Sequence, residues 1–149
     1  MGAENVRDTL EAMGPDAIDA LRAYGRVRRS DPRVVTFTVD GDPVPKGRPR
    51  HALNGHTYTP PRTVEYEERI GFAWIGEGPK PPPFIGPVSV TIIVRERVHP
   101  ADLDNYAKVV LDGLNGLAWA DDKQVESLHA SIERRWPRPG ITVAVMELP

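Results

Sequence analysis

The chain has 149 residues with 40% hydrophobic content, enough to fill the core of one domain. It contains no cysteine, which excludes disulfides and thiolate metal sites and suits a reducing cytoplasm. A formal charge of −2 at pH 7 gives no overall basic surface for nucleic acid, so charge is informative only where it is placed along the chain.

At the start, Glu4, Arg7, Asp8 and Glu11 fall where a signal peptide needs an apolar core, and no run elsewhere is long enough to span a bilayer. A soluble, cytoplasmic protein with no membrane partner is expected. Val6, Leu10, Met13, Ala17, Ile18 and Leu21 recur at roughly helical spacing, interrupted by Gly14-Pro15. This predicts an N-terminal helical extension over residues 1–30, ending in a basic linker with Arg26, Arg28 and Arg29, before a domain spanning 31–149.

Val35, Phe37 and Val39 alternate with Thr36 and Thr38, which predicts a first strand over 34–39. The following Gly41–Arg50 stretch is too rich in glycine and proline for a helix or a central strand. Its cations Lys46, Arg48 and Arg50 have a spacing of two, so an extended loop would turn all three to one side, where they could track a phosphate backbone. Residues 51–61 read as a hairpin or flap, and their two histidines lack a third zinc-type ligand nearby. Arg62 to about Gly76 reads as a helix packed on the sheet, and Gly78–Pro83 as a stiff connector. Val88, Val90, Ile92 and Val94 then alternate as a second strand, leading through Arg95-Glu96-Arg97 to an acidic motif.

Asp102, Asp104, Asp112, Asp121 and Asp122 place five carboxylates within about twenty residues, with Lys108 among them. Carboxylate oxygens are hard ligands for Mg²⁺ or Mn²⁺, and an ion held by two or three of them keeps positions open for phosphate and water. Tyr106, Val109, Val110 and Leu114 predict a helix beginning near Asp104, its expected N-cap, and stopped by Gly116. Lys108 and Asp112 then follow Asp104 on one face, where Asp112 is expected to pair with Lys108. If the chain is extended at Asp102, its side chain projects to the same side as that of Asp104. The Gly-Leu-Ala-Trp connection could return Asp121-Asp122 towards the helix start. An EF-hand is excluded, since Tyr106 and Ala107 stand where an oxygen ligand and glycine are required.

Beyond this motif, Leu128, Ala130 and Ile132, then Ile141, Val143 and Val145, predict two antiparallel strands around a Pro137–Gly140 turn, with His129 turned away from the apolar side. The order gives an α+β fold: a mixed or antiparallel sheet of about four strands covered by two helices.

The run D-L-D-N-x-x-K-x-x-x-D-x-L-N-G-x-x-W-x-D-D-x-Q-V, from Asp102 to Val125, resembles the signature of the RusA family of Holliday junction resolvases. The Pro-x-Lys-x-Arg-Pro-Arg run after the first strand is similar to that family's basic loop. The resemblance covers residues 34–149. It implies a magnesium-dependent, homodimeric endonuclease that nicks four-way DNA junctions in recombination or repair, with Asp102, Asp104 and Asp122 as metal ligands and Lys108 as the essential lysine. Each chain would contribute its own set of these residues. No Ser, Cys or Tyr nucleophile stands beside a base in this stretch, which favours direct hydrolysis. Two rivals remain. A nucleotide-processing Mg²⁺ enzyme would need a Gly-rich phosphate loop or Rossmann-type repeats, which the sequence lacks. A catalytically silent DNA-binding protein would have no need of every acidic position.

Overall fold

Three of the long strands in this chain run the same way, and a fourth runs against them. In the computed structural model, which describes residues 32–98 and 100–149, the strands are β1 (Val34–Asp40), β2 (Arg50–His51), β3 (Thr57–Tyr58), β4 (Val88–Arg95), β5 (Val125–Glu133) and β6 (Gly140–Glu147). The helices are α1 (Pro61–Ile75) and α2 (Leu103–Leu114). The extension expected over residues 1–30 lies outside the described residues.

The main sheet has the order β1-β6-β4-β5, with β6 antiparallel to both neighbours and β4 parallel to β5. The fold is therefore α+β with a mixed sheet and two covering helices, as expected. One pairing differs: β5 and β6 follow each other in sequence but do not pair, because β4 lies between them. Val88, Val90, Ile92 and Val94 are fully buried, so β4 profits most from having a neighbour on each edge. The expected hairpin is the small β2–β3 ribbon.

Both β1-to-β4 and β4-to-β5 join parallel strands through a helix. Right-handed crossovers in one direction along a sheet put both helices on the same face. There α1 packs on α2, and the contact is close because of two glycines. A Cβ on Gly113 would lie 3.0 Å from the Glu67 carbonyl oxygen, and one on Gly71 would lie 2.9 Å from Leu117. Tyr66, Ile70 and Trp74 of α1 and Tyr106, Val109, Val110 and Leu114 of α2 join the inward residues of β4 and β6 in one core. No helix of the described residues is long and apolar enough to cross a membrane.

This topology gives the sheet two chemically different ends. Asp40, Arg95, Glu133 and Gly140 align across it, so the loops after β1, β4 and β5 gather at the carboxyl end of the parallel strands, the usual place for a ligand site in parallel sheets. Gly41 donates its N–H to the Pro139 carbonyl at 3.1 Å, and the Arg97 guanidinium reaches the Asp42 carboxylate at 3.4 Å.

Candidate active site

The acidic motif enters α2 from this carboxyl end. The N-cap of α2 is Asp102, with extended backbone (φ −71°, ψ 138°), and Asp104 sits in the first turn. This corrects the expected N-cap at Asp104: the cap lies two residues earlier, at Asp102, and the helix begins at Leu103. An aspartate at an N-cap ordinarily accepts a hydrogen bond from the first-turn backbone. Asp102 makes no such bond, and among the described residues its carboxylate has no hydrogen bond or ion pair. Both its oxygens thus remain available beside the positive end of the helix dipole. Lys108 lies one turn along, its ammonium 3.9 Å from the Asp104 carboxylate, with both side chains well exposed.

Asp122 is held differently. Trp119 is fully buried and donates its indole N–H to Asp122 Oδ1 at 2.8 Å. Asp121 caps the short 3₁₀ turn Asp122–Gln124 by accepting from the Lys123 N–H at 2.8 Å. Gln124 accepts from the backbone N–H of Ala120 and Asp121, and donates to the carbonyls of Phe84 and Gly86 at 2.8 and 3.0 Å. The Trp-Ala-Asp-Asp-Lys-Gln run is therefore a clamp that displays a half-buried Asp122 with one carboxylate oxygen committed.

The clamp lies at the opposite end of the sheet from Asp102. Val125 pairs with Val88 at the start of β4, whereas Asp102 follows the end of β4. The 12 residues of α2 separate the two ends, a span of ~18 Å at 1.5 Å per residue. The connection after α2 thus does not return the chain to the helix start. All three candidate ligands supply hard carboxylate oxygen, which suits Mg²⁺ or Mn²⁺. Yet among the described residues no group of three or more His, Asp or Glu side chains is placed to hold a metal ion. One chain brings together Asp102, Asp104 and Lys108, and leaves Asp122 apart.

The basic loop is also divided. Lys46 donates its backbone N–H to the Asn105 carbonyl at 2.9 Å, which docks the loop on α2. Its ammonium turns inward, 2.7 Å from Glu67 Oε1 and 2.9 Å from Asp112 Oδ2. Burial alone would lower its pKa, but the hydrogen bonds to Asp112 and Glu67 and their charges prevail and raise it. Asp112 accordingly pairs with Lys46 rather than with Lys108. Arg48 and Arg50 are exposed. With Arg62 they surround a hollow of about 330 Å³ at the start of α1, where Gly47 donates to Thr63 Oγ1 at 3.0 Å. Pro60 provides no side-chain cap for α1, and no acid occupies its first turn. Three arginines against a positive helix end repel one another and favour an anion. Sequence reading missed Arg62, although an arginine directly after a Pro-Pro helix start was the available signal.

Residues 40–146 match the family model described as Endodeoxyribonuclease RusA. The chain is also similar to a Bacillus subtilis (strain 168) protein named Uncharacterized protein YqaN, 32% identical over 124 residues and covering 65% of this chain and 85% of that one.

Proposed function

The chain belongs to the RusA endodeoxyribonuclease family, whose members act on Holliday junctions, and from that premise we propose that it resolves four-way DNA junctions by paired, symmetric, Mg²⁺-dependent nicks, with Mn²⁺ as an alternative ion. The observation that carries this reading is Asp102, an N-cap aspartate whose carboxylate is left uncommitted at the carboxyl end of the parallel strands. Asp102 and Asp104 would hold the ion. When bound, it withdraws charge from the phosphate and provides nucleophilic water. Lys108 neutralises charge developing on the phosphate or protonates the departing oxygen. Arg48, Arg50 and Arg62 follow the DNA backbone outside the site.

The third carboxylate comes from a second copy of the chain. β5 is an edge strand of the main sheet. Beside it Leu103, Ala107, Leu111, Leu128 and Ala130 line an apolar groove of about 530 Å³, with Asp104 and Lys108 at its margin and Leu128 46% exposed. Apolar surface along an open strand edge invites association. A twofold axis across it reverses the partner, so the start of one β5 meets the end of the other, and the partner's Asp122 approaches Asp102 and Asp104. Two equivalent sites then serve two strands.

Complementation tests this arrangement. Asp104→Asn and Asp122→Asn homodimers should each fail to cleave a synthetic four-way junction while still binding it. Mixed in equal amounts, they should regain one intact site per heterodimer and nick one strand. Mixtures as inactive as either parent would return Asp122 to its own chain's site, and loss of junction binding in both variants would make these aspartates structural.

A further inference from the structure

Val88, Val90, Ile92 and Val94 share one parity along β4, and Glu96 is the next residue of that parity. It therefore continues the inward row, and at 2% exposure it is the single charged residue among the buried described residues. A carboxylate there is costly unless each oxygen is paired. Oε1 receives the Arg134 guanidinium, and Oε2 accepts from the Tyr106 hydroxyl at 2.8 Å. Arg134 also donates to the Ala101 carbonyl at 3.3 Å. The Glu96 backbone is pinned on both sides, its N–H to the Glu133 carbonyl at 3.0 Å and its carbonyl to the Trp136 N–H at 2.8 Å.

One buried carboxylate thus fastens both flanks of the acidic motif. Through Arg134 it reaches Ala101, the residue before Asp102, and through Tyr106 it reaches the residue two beyond Asp104. The carboxylate is buried although Arg134 is about half exposed, so the desolvation of Glu96 offsets much of what the pair contributes and apolar residues of similar volume would serve stability about as well. What a paired carboxylate supplies that they cannot is fixed direction. Asp102 needs it, because no capping bond orients the side chain.

We propose that Glu96, Tyr106 and Arg134 are positioning residues that hold Asp102 and Asp104 at the spacing a divalent ion requires, so that they set metal affinity and cleavage without contributing to DNA binding. The inference rests on the reading of Asp102 and Asp104 as ligands. Residues oriented by such outer partners typically lose 10–100-fold in metal affinity when the partner is removed.

The test compares Tyr106→Phe, Arg134→Ala and Arg134→Lys with Asp102→Asn, all as the full-length protein. Mn²⁺ affinity is read by electron paramagnetic resonance without DNA, amide exchange of residues 101–106 without metal, junction affinity in EDTA, and unfolding by thermal melts. Tyr106→Phe and Arg134→Ala should weaken Mn²⁺ binding about tenfold, speed exchange over residues 101–106, and leave junction affinity within about twofold. Arg134→Lys should fall between, because an ammonium meets Glu96 but lacks the planar fork that also spans to Ala101. Lower melting temperatures with unchanged Mn²⁺ affinity and local exchange would overturn the proposal and leave the network structural. Arg134 is about half exposed, so its variants report even if Tyr106→Phe fails to fold. Undiminished Mn²⁺ binding by Asp102→Asn would instead overturn the ligand assignment itself, whatever the positioning variants do.

Discussion

Replacing Lys46 by methionine separates an inward-turned cation from the exposed arginines around it. The ammonium bridges Glu67 on α1 and Asp112 on α2, and side-chain exposures are 23% for Lys46, 21% for Glu67 and 41% for Asp112. Hydrogen bonds between charged groups contribute about 1.5–3 kcal/mol when well shielded, and exposed ion pairs about 0–1 kcal/mol. The Glu67 pair falls near the lower part of the first range and the Asp112 pair in the second, giving about 2 kcal/mol in all. For a domain of this size that corresponds to a drop of roughly 6–10 °C in Tm. Because the Lys46 pKa is raised above its ordinary 10.5, its contribution is fully present below the unfolded value and fades as pH rises through the folded one. The wild-type advantage should therefore hold from neutral pH to about pH 10 and shrink beyond it. Junction binding measured against salt provides the contrast. Lys46→Met should leave the log–log slope unchanged, whereas Arg48→Ala with Arg50→Ala should flatten it by up to ~0.9 per lost duplex phosphate contact at unchanged Tm. A flattened slope with an unchanged Tm for Lys46→Met would refute the inward placement of this lysine.

Two substitutions probe the helix layer. The Tyr66 hydroxyl is buried without a hydrogen-bond partner among the described residues, and burial pushes its pKa up to about 12. Tyr66→Phe should hold or raise stability by about 1 kcal/mol at neutral pH. It should also lose less stability than wild type between about pH 10 and 12, where the unfolded tyrosine ionises and the folded one does not; a marked loss in urea unfolding at pH 7 would reveal a partner for the hydroxyl. Gly113→Ala should destabilise by about 1 kcal/mol although alanine is the better helix former, because crowding against the Glu67 carbonyl and Ile70 outweighs propensity. A gain in urea unfolding would show that α1 and α2 can part cheaply.

Local periodicity made much of this fold legible. The alternation at Val35–Val39, Val88–Val94 and Ile141–Val145 fixed three strands, and the Tyr106–Leu114 rhythm fixed α2. Pairing was not legible, because the insertion of β6 between β1 and β4 depends on burying β4 from both edges, and no residue of β6 announces its neighbours. Equal spacing also misled at the basic loop. Lys46, Arg48 and Arg50 share parity, but the bond from the Lys46 N–H to Asn105 docks one end of the loop and turns the first cation inward. At Glu96 the parity signal was present and obscured by the arginines on either side. For Asp122, the motif placed the carboxylates close together along the chain, whereas the distance to Asp102 follows from a parallel crossover that only the sheet order reveals.

That crossover has a kinetic consequence. If Asp102 and Asp104 of one chain need the partner's Asp122, no monomer holds a complete site, and cleavage depends on the dimer population. Below the dimer dissociation constant the dimer concentration varies with the square of total chain. Specific activity should then fall in proportion to dilution, and a tenfold dilution should cost about tenfold in rate per chain, or ~1.4 kcal/mol at 25 °C. Leu128→Glu would bring this regime to higher concentration, since it places charge in the apolar groove at a residue already 46% exposed in the single chain and costs the monomer little. Junction cleavage followed across a dilution series, with sedimentation in parallel, should show activity tracking the dimer fraction for both proteins. Constant specific activity far below the measured dissociation constant would place a complete site in each chain, and full activity of a monomeric Leu128→Glu protein would show that this groove is not where the two copies meet.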